Sequence, residues 1–335
     1  MGVDRLSAGV TLLATRVFIA GGAGFIGSAF VDRLLSQPET ELVTVYDNFS
    51  SGRAWHLDAG RDDERLRVVR ADILDNGALI EAMAGHELVI HLASNPDIAR
   101  AATEPTVDFD QGTLLTNNIV EAMRRCGAAT VLYASGSGVY GDLGDTEAGE
   151  DHGPLIPVST YGASKLAGEA LISSYCHMFG IRGIVFRFGN VVGARQTHGV
   201  GFDFIRRLRE TPSELTILGD GTQTKSYVDV NDVIDAVLLA EQRSTQPYSA
   251  YNVATGDYIT VREIAELAVE VIGGVPGSTA FAFTGGNRGW KGDVPVVRLN
   301  TDRIRALGWR NRLGSREALQ TSMAAMLEHA EAGRL

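Results

Sequence analysis

Lysine is almost missing from this chain: of 30 basic residues only Lys165, Lys225 and Lys291 are lysines. Where arginine is used nearly everywhere else, a retained lysine points to a role that needs a compact ammonium rather than a planar fork. Cysteine is scarcer still, with Cys126 and Cys176 alone. Two isolated thiols within helical segments read as reduced core residues, not as a disulfide framework. Without a close Cys/His cluster there is no basis for a zinc site, and no metal is expected. No apolar run approaches the roughly 18 residues that cross a bilayer. A net charge of -11 repels nucleic acid, and no basic stripe offsets it. Nine prolines and no internal repeat argue against disorder and against a solenoid. Leu6 to Ala14 are mildly apolar behind Arg5, but they run without a cleavage site into a strand, so residues 1–15 read as a tail rather than a leader.

What is present is an ordinary globular composition, 44% hydrophobic over 335 residues. That length suits one large nucleotide-binding domain and a smaller partner. Short β-branched runs at Arg16–Ala20, Leu42–Tyr46, Leu66–Arg70, Leu88–Leu92, Thr130–Ala134 and Arg182–Phe188 predict strands. Helical patterns at Phe25–Leu35, Asn76–Ala84, Leu114–Arg124 and Tyr161–His177 separate them. Such alternation predicts an α/β fold, a Rossmann doubly wound parallel sheet covered on both faces. After Asn190 the alternation breaks, and glycine-rich loops interleave with helices at Val230–Glu241, Val261–Ile272 and Ser315–Ala330. The expected division is a doubly wound domain over 16–189, with 226–255 returning to it. A smaller, partly interleaved C-terminal substrate lobe takes 190–225 and 256–335 and closes over the strand ends.

The first strand runs into Gly21-Gly-Ala-Gly24-Phe-Ile-Gly27 and then a helix. Gly21 permits a tight turn, Gly24 lets backbone N–H groups approach a pyrophosphate, and Gly27 lets the helix pack on the strand. Asp47 ends the second strand, where a carboxylate accepts hydrogen bonds from the adenosine ribose and repels a 2′-phosphate. The cofactor expected is therefore NAD. Asp72 and Ile73, after the third strand, are placed to flank the adenine, and Leu92, Ala93 and Ser94, ending the fourth, are placed to line the dinucleotide.

Tyr161-Gly-Ala-Ser-Lys165 sets a phenol and an ammonium four residues apart on one helical face. The lysine charge, added to that of oxidised nicotinamide, favours the phenolate and turns the tyrosine into a general base. These elements, with Tyr133-Ala-Ser-Gly-Ser-Gly-Val-Tyr-Gly141, resemble the extended short-chain dehydrogenase/reductase family, and within it the UDP-glucose 4-epimerase group. The resemblance runs from Arg16 to about Ala330. It implies NAD held also by Phe25, Ile26, Asn48, Ser51 and Gly52. It implies too a nucleotide-diphosphate sugar, most simply a UDP-sugar, bound by Asn190, Arg195, His198, Lys225, Tyr227, Arg288 and Lys291. A cytoplasmic homodimer is implied, joined in a four-helix interface by Thr106–Arg125 and Ser159–His177 with Leu115, Ile119, Leu166 and Leu171.

The residues before Val139-Tyr140-Gly141 sort the reactions. Dehydratases of the family carry Thr-Asp-Glu there, and its decarboxylases keep a glutamate; this chain has Gly136-Ser137-Gly138, without a carboxylate. That favours an isomerase that oxidises C4 and reduces it again. A dehydrogenase or reductase with net cofactor turnover, and an NAD-binding sensor without catalysis, remain as alternatives. The epimerases place a serine or threonine where Gly136 stands. A water, or Ser135 or Ser137 shifted by a local bulge, is the candidate to replace it, since strand neighbours point to opposite faces. A substrate with a bulkier group near C4 is the other explanation.

Overall fold

The structure is a computed structural model that describes residues 12, 14–290 and 292–334. The outer N-terminal tail and Lys291 lie outside the described residues. Seven parallel strands form the central sheet: β1 (Arg16–Ala20), β2 (Leu42–Asp47), β3 (Leu66–Arg70), β4 (Leu88–His91), β5 (Thr130–Gly136), β7 (Arg182–Phe188) and β12 (Tyr248–Val253). A two-residue strand, β6 (Glu147–Ala148), lies outside it and pairs with Arg298–Leu299. The order across the sheet is β12-β7-β5-β4-β1-β2-β3, the doubly wound arrangement expected from the alternation.

Side chains alternate across this sheet as a period of two requires. Val17 and Ile19 of β1 join one core with Phe30 and Leu34 of α1 (Phe25–Leu35). Phe18 and Ala20 join the other, beneath α2 (Asn76–Met83), α3 (Leu115–Cys126) and α4 (Thr160–Phe179). The smaller lobe has its own core, in which Phe204 and Leu208 of α5 (Val200–Glu210) meet Leu215, Leu267 and Met323. α6 (Val230–Arg243) returns to the first core and leads into the edge strand β12. Three parallel residue pairs tie the chain where it leaves for and returns from the smaller lobe: Asn190–Val192 (β8) lies beside Tyr227–Asp229 (β11), with Glu214–Ile217 (β9) and Thr224–Lys225 (β10) in the excursion between.

The helix faces correct the proposed interface residues. Ile119 is fully buried and Leu115 nearly so, both within the core under the sheet. Leu166 packs against the cluster around Val139 and Tyr140. An apolar stripe on a helix that covers a sheet turns inward first, because the sheet offers the larger apolar surface. Of the four residues, Leu171 alone is left half-buried outside these clusters. Large apolar side chains exposed on or next to these helices in the chain include Phe109, before α3, and Met178 and Phe179, at the end of α4. Cys176 is buried and Cys126 half-buried, both free. Ile119→Ala is expected to destabilise the protein by about 2–5 kcal/mol through lost transfer energy and a cavity. Denaturant unfolding checks this: an unchanged midpoint would return Ile119 to a surface role.

Candidate active site

A cleft of about 1030 Å³ opens over the carboxyl ends of the strands, between sheet and smaller lobe. Its sheet side begins at the glycine loop. Gly21 has φ +82° and donates its N–H to the Tyr46 carbonyl at 2.9 Å. A Cβ at Gly21 would stand 2.8 Å from the Ala93 nitrogen, and one at Gly27 would stand 2.3 Å from the Gly21 carbonyl oxygen. Both positions therefore exclude a side chain. Gly24 caps α1 without a side-chain acceptor, so the first N–H groups of the helix, at Phe25 and Ile26, face the cleft for an anion.

Asp47 lines the cleft at the end of β2, its carboxylate oriented by the N–H groups of Ala23 at 2.9 Å and Phe49 at 2.8 Å. Burial raises its pKa, and these two hydrogen bonds oppose the rise. Asn48 donates to Asp72 at 3.0 Å, and Asp72 also accepts the Leu74 N–H, so the wall formed by Asn48, Ser51, Asp72 and Ile73 is tied together. Leu92 and Ala93 complete that end. A side-chain-free cradle, a helix start and a carboxylate lining the cleft at the end of the second strand fit NAD. Gly52 is a correction. It does not line the cleft, and a Cβ there would stand 2.9 Å from the Ala23 Cβ, so it packs against the back of the glycine loop.

Ser159 caps α4 through the Gly162 N–H at 3.1 Å and thereby fixes Tyr161 at the cleft edge of the first turn. Lys165, one turn on, is buried; its Nζ donates to the Ala134 carbonyl at 2.8 Å and lies 5.5 Å from the Tyr161 ring centre. Burial pushes the Tyr161 phenol up to about 12; the Ser94 hydroxyl works against that rise and Asp108 adds to it. Burial pulls Lys165 down to about 8, while Asp108 and Glu169 hold it up. The protein alone thus keeps Tyr161 a neutral phenol at pH 7. A further positive charge in the cleft is needed to make it a base.

The serines beside Gly136 divide sharply. Ser135 donates its hydroxyl to Glu169 at 2.6 Å, and Glu169 is gripped by Arg187 at 2.7 Å, so this serine is withdrawn from catalysis. Ser137 opens a 3-10 turn (Ser137–Tyr140), lines the cleft, and its hydroxyl has no hydrogen-bond partner among the described residues. Gly136 is extended (φ −162°), and a Cβ built on it meets nothing within 4 Å. This turn brings no carboxylate to the cleft.

On the opposite wall Asn190 donates to the Ser226 carbonyl at 3.2 Å, and Tyr227 and His198 line the cleft. Lys225 also lines it, paired with Asp293 at 2.7 Å and 4.9 Å from the Trp290 ring centre. Two sequence-based cations are corrected. Arg195 is drawn to Asp32 on α1 at 2.5 Å, and Arg288 to Asp142 at 2.5 Å; neither lines the cleft. In their stead Arg207 of α5 reaches it, a residue with no motif to signal it. Ser94, at the end of the fourth strand with Leu92 and Ala93, stands beside the Tyr161 hydroxyl. Sequence reasoning missed the clamp on buried Asp108, which accepts Asn95 at 2.9 Å and Thr160 at 2.7 Å. Among the described residues no group of His, Cys, Asp and Glu could hold a metal, and no helix is long and apolar enough to cross a membrane.

A dinucleotide cradle facing a tyrosine–lysine pair defines a nucleotide-dependent redox enzyme of the doubly wound class. The sequence signature of the NAD dependent epimerase/dehydratase family matches residues 17–254, and the chain belongs to that family. It is 33% identical over 312 residues to the UDP-glucose 4-epimerase of Mycolicibacterium smegmatis, covering 91% of this chain and 96% of that one. A solved UDP-galactose 4-epimerase is similar with a TM-score of 0.81 and 35% identity, over 94% of this chain and 99% of that chain. A dTDP-glucose 4,6-dehydratase of Streptomyces venezuelae, solved with NAD bound, has a TM-score of 0.86 at 25% identity, over 95% and 98% of the two chains.

The tyrosine's protonation is directly measurable. In cofactor-free protein, the ultraviolet difference between wild type and Tyr161→Phe should show no phenolate below about pH 10. A phenolate near pH 7 would mean that Lys165 suffices without the cofactor.

Proposed function

We propose that the protein is an NAD-dependent 4-epimerase of a nucleotide-linked sugar, with a UDP-hexose as the simplest substrate. The observation that carries this reading is the turn at Gly136–Gly138. It faces Tyr161 and Lys165 with a free hydroxyl and no carboxylate, which suits oxidation and re-reduction but not the elimination a dehydratase performs. The likeness to the two epimerases over nearly whole chains supports it.

NAD, when bound, supplies the acceptor and donor of the hydride. The chain's own residues do the rest. Tyr161 Oη takes the 4-hydroxyl proton as C4 loses its hydride, and gives a proton back to the same oxygen when the 4-keto sugar, turned over, receives hydride on its other face. Lys165 stands under the phenol and, with the bound cofactor's charge, favours the phenolate. Ser137 donates to the 4-oxygen in place of the hydroxyl missing at Gly136. Lys225 clamps the diphosphate as a point charge, with Arg207 further along the same wall. Asp47, Asp72 and the loop from Gly21 to Gly27 hold the cofactor.

Turnover of UDP-glucose and UDP-galactose, with NAD content followed through many cycles, tests the whole reading. Epimerisation with NAD retained is expected, whereas stoichiometric NADH release would make the protein a dehydrogenase. Tyr161→Phe should keep fold and NAD but lose about 10²–10⁴-fold in turnover. Gly136→Ser finds room in the protein and adds a donor, so turnover on UDP-hexoses should rise severalfold. A fall would show that the space beside Gly136 belongs to a substituent of a larger sugar.

We also infer a cytoplasmic homodimer that pairs the outer faces of α3 and α4. Leu171, Met178 and the exposed Phe109 replace the buried Leu115 and Ile119 as its apolar contacts. Sedimentation at micromolar concentration should give twice the chain mass, and Leu171→Arg should give the monomer. A monomeric wild type would remove the dimer from the account.

A further inference from the structure

Behind the glycine loop, outside the lining of the cleft, lies an imidazole that the epimerase chemistry does not use. His56 sits in the 3-10 helix Ala54–Gly60 and is fully buried. Its Nδ1 is 2.9 Å from the carbonyl oxygen of Ala23, in the middle of the glycine motif. A carbonyl only accepts, so Nδ1 carries the hydrogen and Nε2 is the bare nitrogen. Nε2 is buried and has no partner. Burial pulls the ring's pKa down to about 4. The Ala23 hydrogen bond opposes this, and Arg195, Arg53 and His329, the charged or titratable groups that face it, add to it. The ring is therefore neutral at pH 7, in a single tautomer.

Both polar atoms of Ala23 are taken. Its N–H donates to Asp47 at 2.9 Å, and its carbonyl accepts the Arg53 N–H at 3.1 Å as well as His56. The peptide from Ala23 to Gly24 is the one that starts α1: its far side gives the Gly24 N–H to the Gly21 carbonyl at 3.2 Å. Fixing that plane fixes the direction in which the free N–H groups of Phe25 and Ile26 point. His56 is itself held from behind. Trp55 packs edge-on against it at 4.3 Å and against His329 at 4.9 Å, and His329 bonds the Ala194 carbonyl at 2.9 Å. The imidazole is thus wedged between the cofactor loop and the end of the C-terminal helix Ser315–Glu331.

We propose that His56 is a positioning residue for the cofactor: its Nδ1–H bond to Ala23 sets the start of α1 so that the helix N-terminus meets the pyrophosphate. This rests on the reading of the loop as the NAD site. An epimerase that recycles its cofactor in place needs slow release of NAD, and His56 contributes to that slowness without touching the ligand.

Two variants separate this role from packing. His56→Asn places an amide N–H near the position of Nδ1, and His56→Leu fills the space without a donor. NAD release from the holoprotein, followed by cofactor fluorescence at a temperature where both variants are folded, should be about tenfold faster or more for Leu and within threefold for Asn. UDP binding at the other end of the cleft should stay unchanged in both. Nitrogen NMR of the wild-type ring should show a protonated Nδ1, a bare Nε2 and no charge at pH 7. The proposal is overturned by unchanged release in the Leu variant or by equal loss in both variants. A matching fall in UDP affinity, or a charged ring at pH 7, overturns it too. A wild type that binds no NAD would instead overturn the reading of the site.

Discussion

The pairing of Arg187 with Glu169 is the contact on which the site's geometry depends. It is almost wholly buried, and its partners tie the catalytic helix to two central strands and the turn beside them. Glu169 lies on α4 one turn beyond Lys165 and accepts Ser135 of β5. Arg187 lies on β7 and reaches the Tyr140 hydroxyl at 2.9 Å and the Glu150 carbonyl at 3.2 Å. Tyr140 passes the connection to Asn252 on β12, which bonds the Asn300 carbonyl near the start of the last helices. Deleting one member of such a pair leaves an unpartnered buried charge, typically a loss of about 3–5 kcal/mol. Here it would also release the strand and helix that carry Ser135 and Lys165.

Around this anchor the site is defined by which polar groups are already engaged. Two serines flank Gly136, and the ion pair takes one of them. Several cations surround the nucleotide wall, and remote carboxylates draw Arg195 and Arg288 away. What is left along the cleft is Ser137, with a free hydroxyl, and two cations whose partners leave them at its lining, Lys225 beside Asp293 and Arg207 beside the Thr216 carbonyl. The unengaged groups are few because buried polar atoms must find partners, so the fold itself decides which side chains stay available for chemistry.

This also explains what could be read in advance. β1, α1 and the glycine spacing follow from steric exclusion at neighbouring backbone atoms, a local matter that the residues display directly. Tyr161 and Lys165 are legible because one helical turn relates them. The orientation of Arg195 is not, since Asp32 lies far away in the chain. Nor was the inward turn of Ile119 legible: the same apolar spacing serves a core and an interface equally well, and only the sheet beneath α3 decides between them. Asp108, Asn95 and Thr160 come together from three separate segments and carry no motif at all.

The edge position of β12 has a consequence for how the molecule is made. Val185 of β7 pairs with Ala250, so the sheet's last ladder waits for a strand that follows the whole first excursion into the smaller lobe. Until that strand arrives, β7 presents open N–H and C=O groups flanked by Ile184 and Phe186, a template for adhesion to other chains. During synthesis the half-built sheet is therefore the aggregation-prone species, and the pairing of β12, which follows α6 in the chain, ends that exposure.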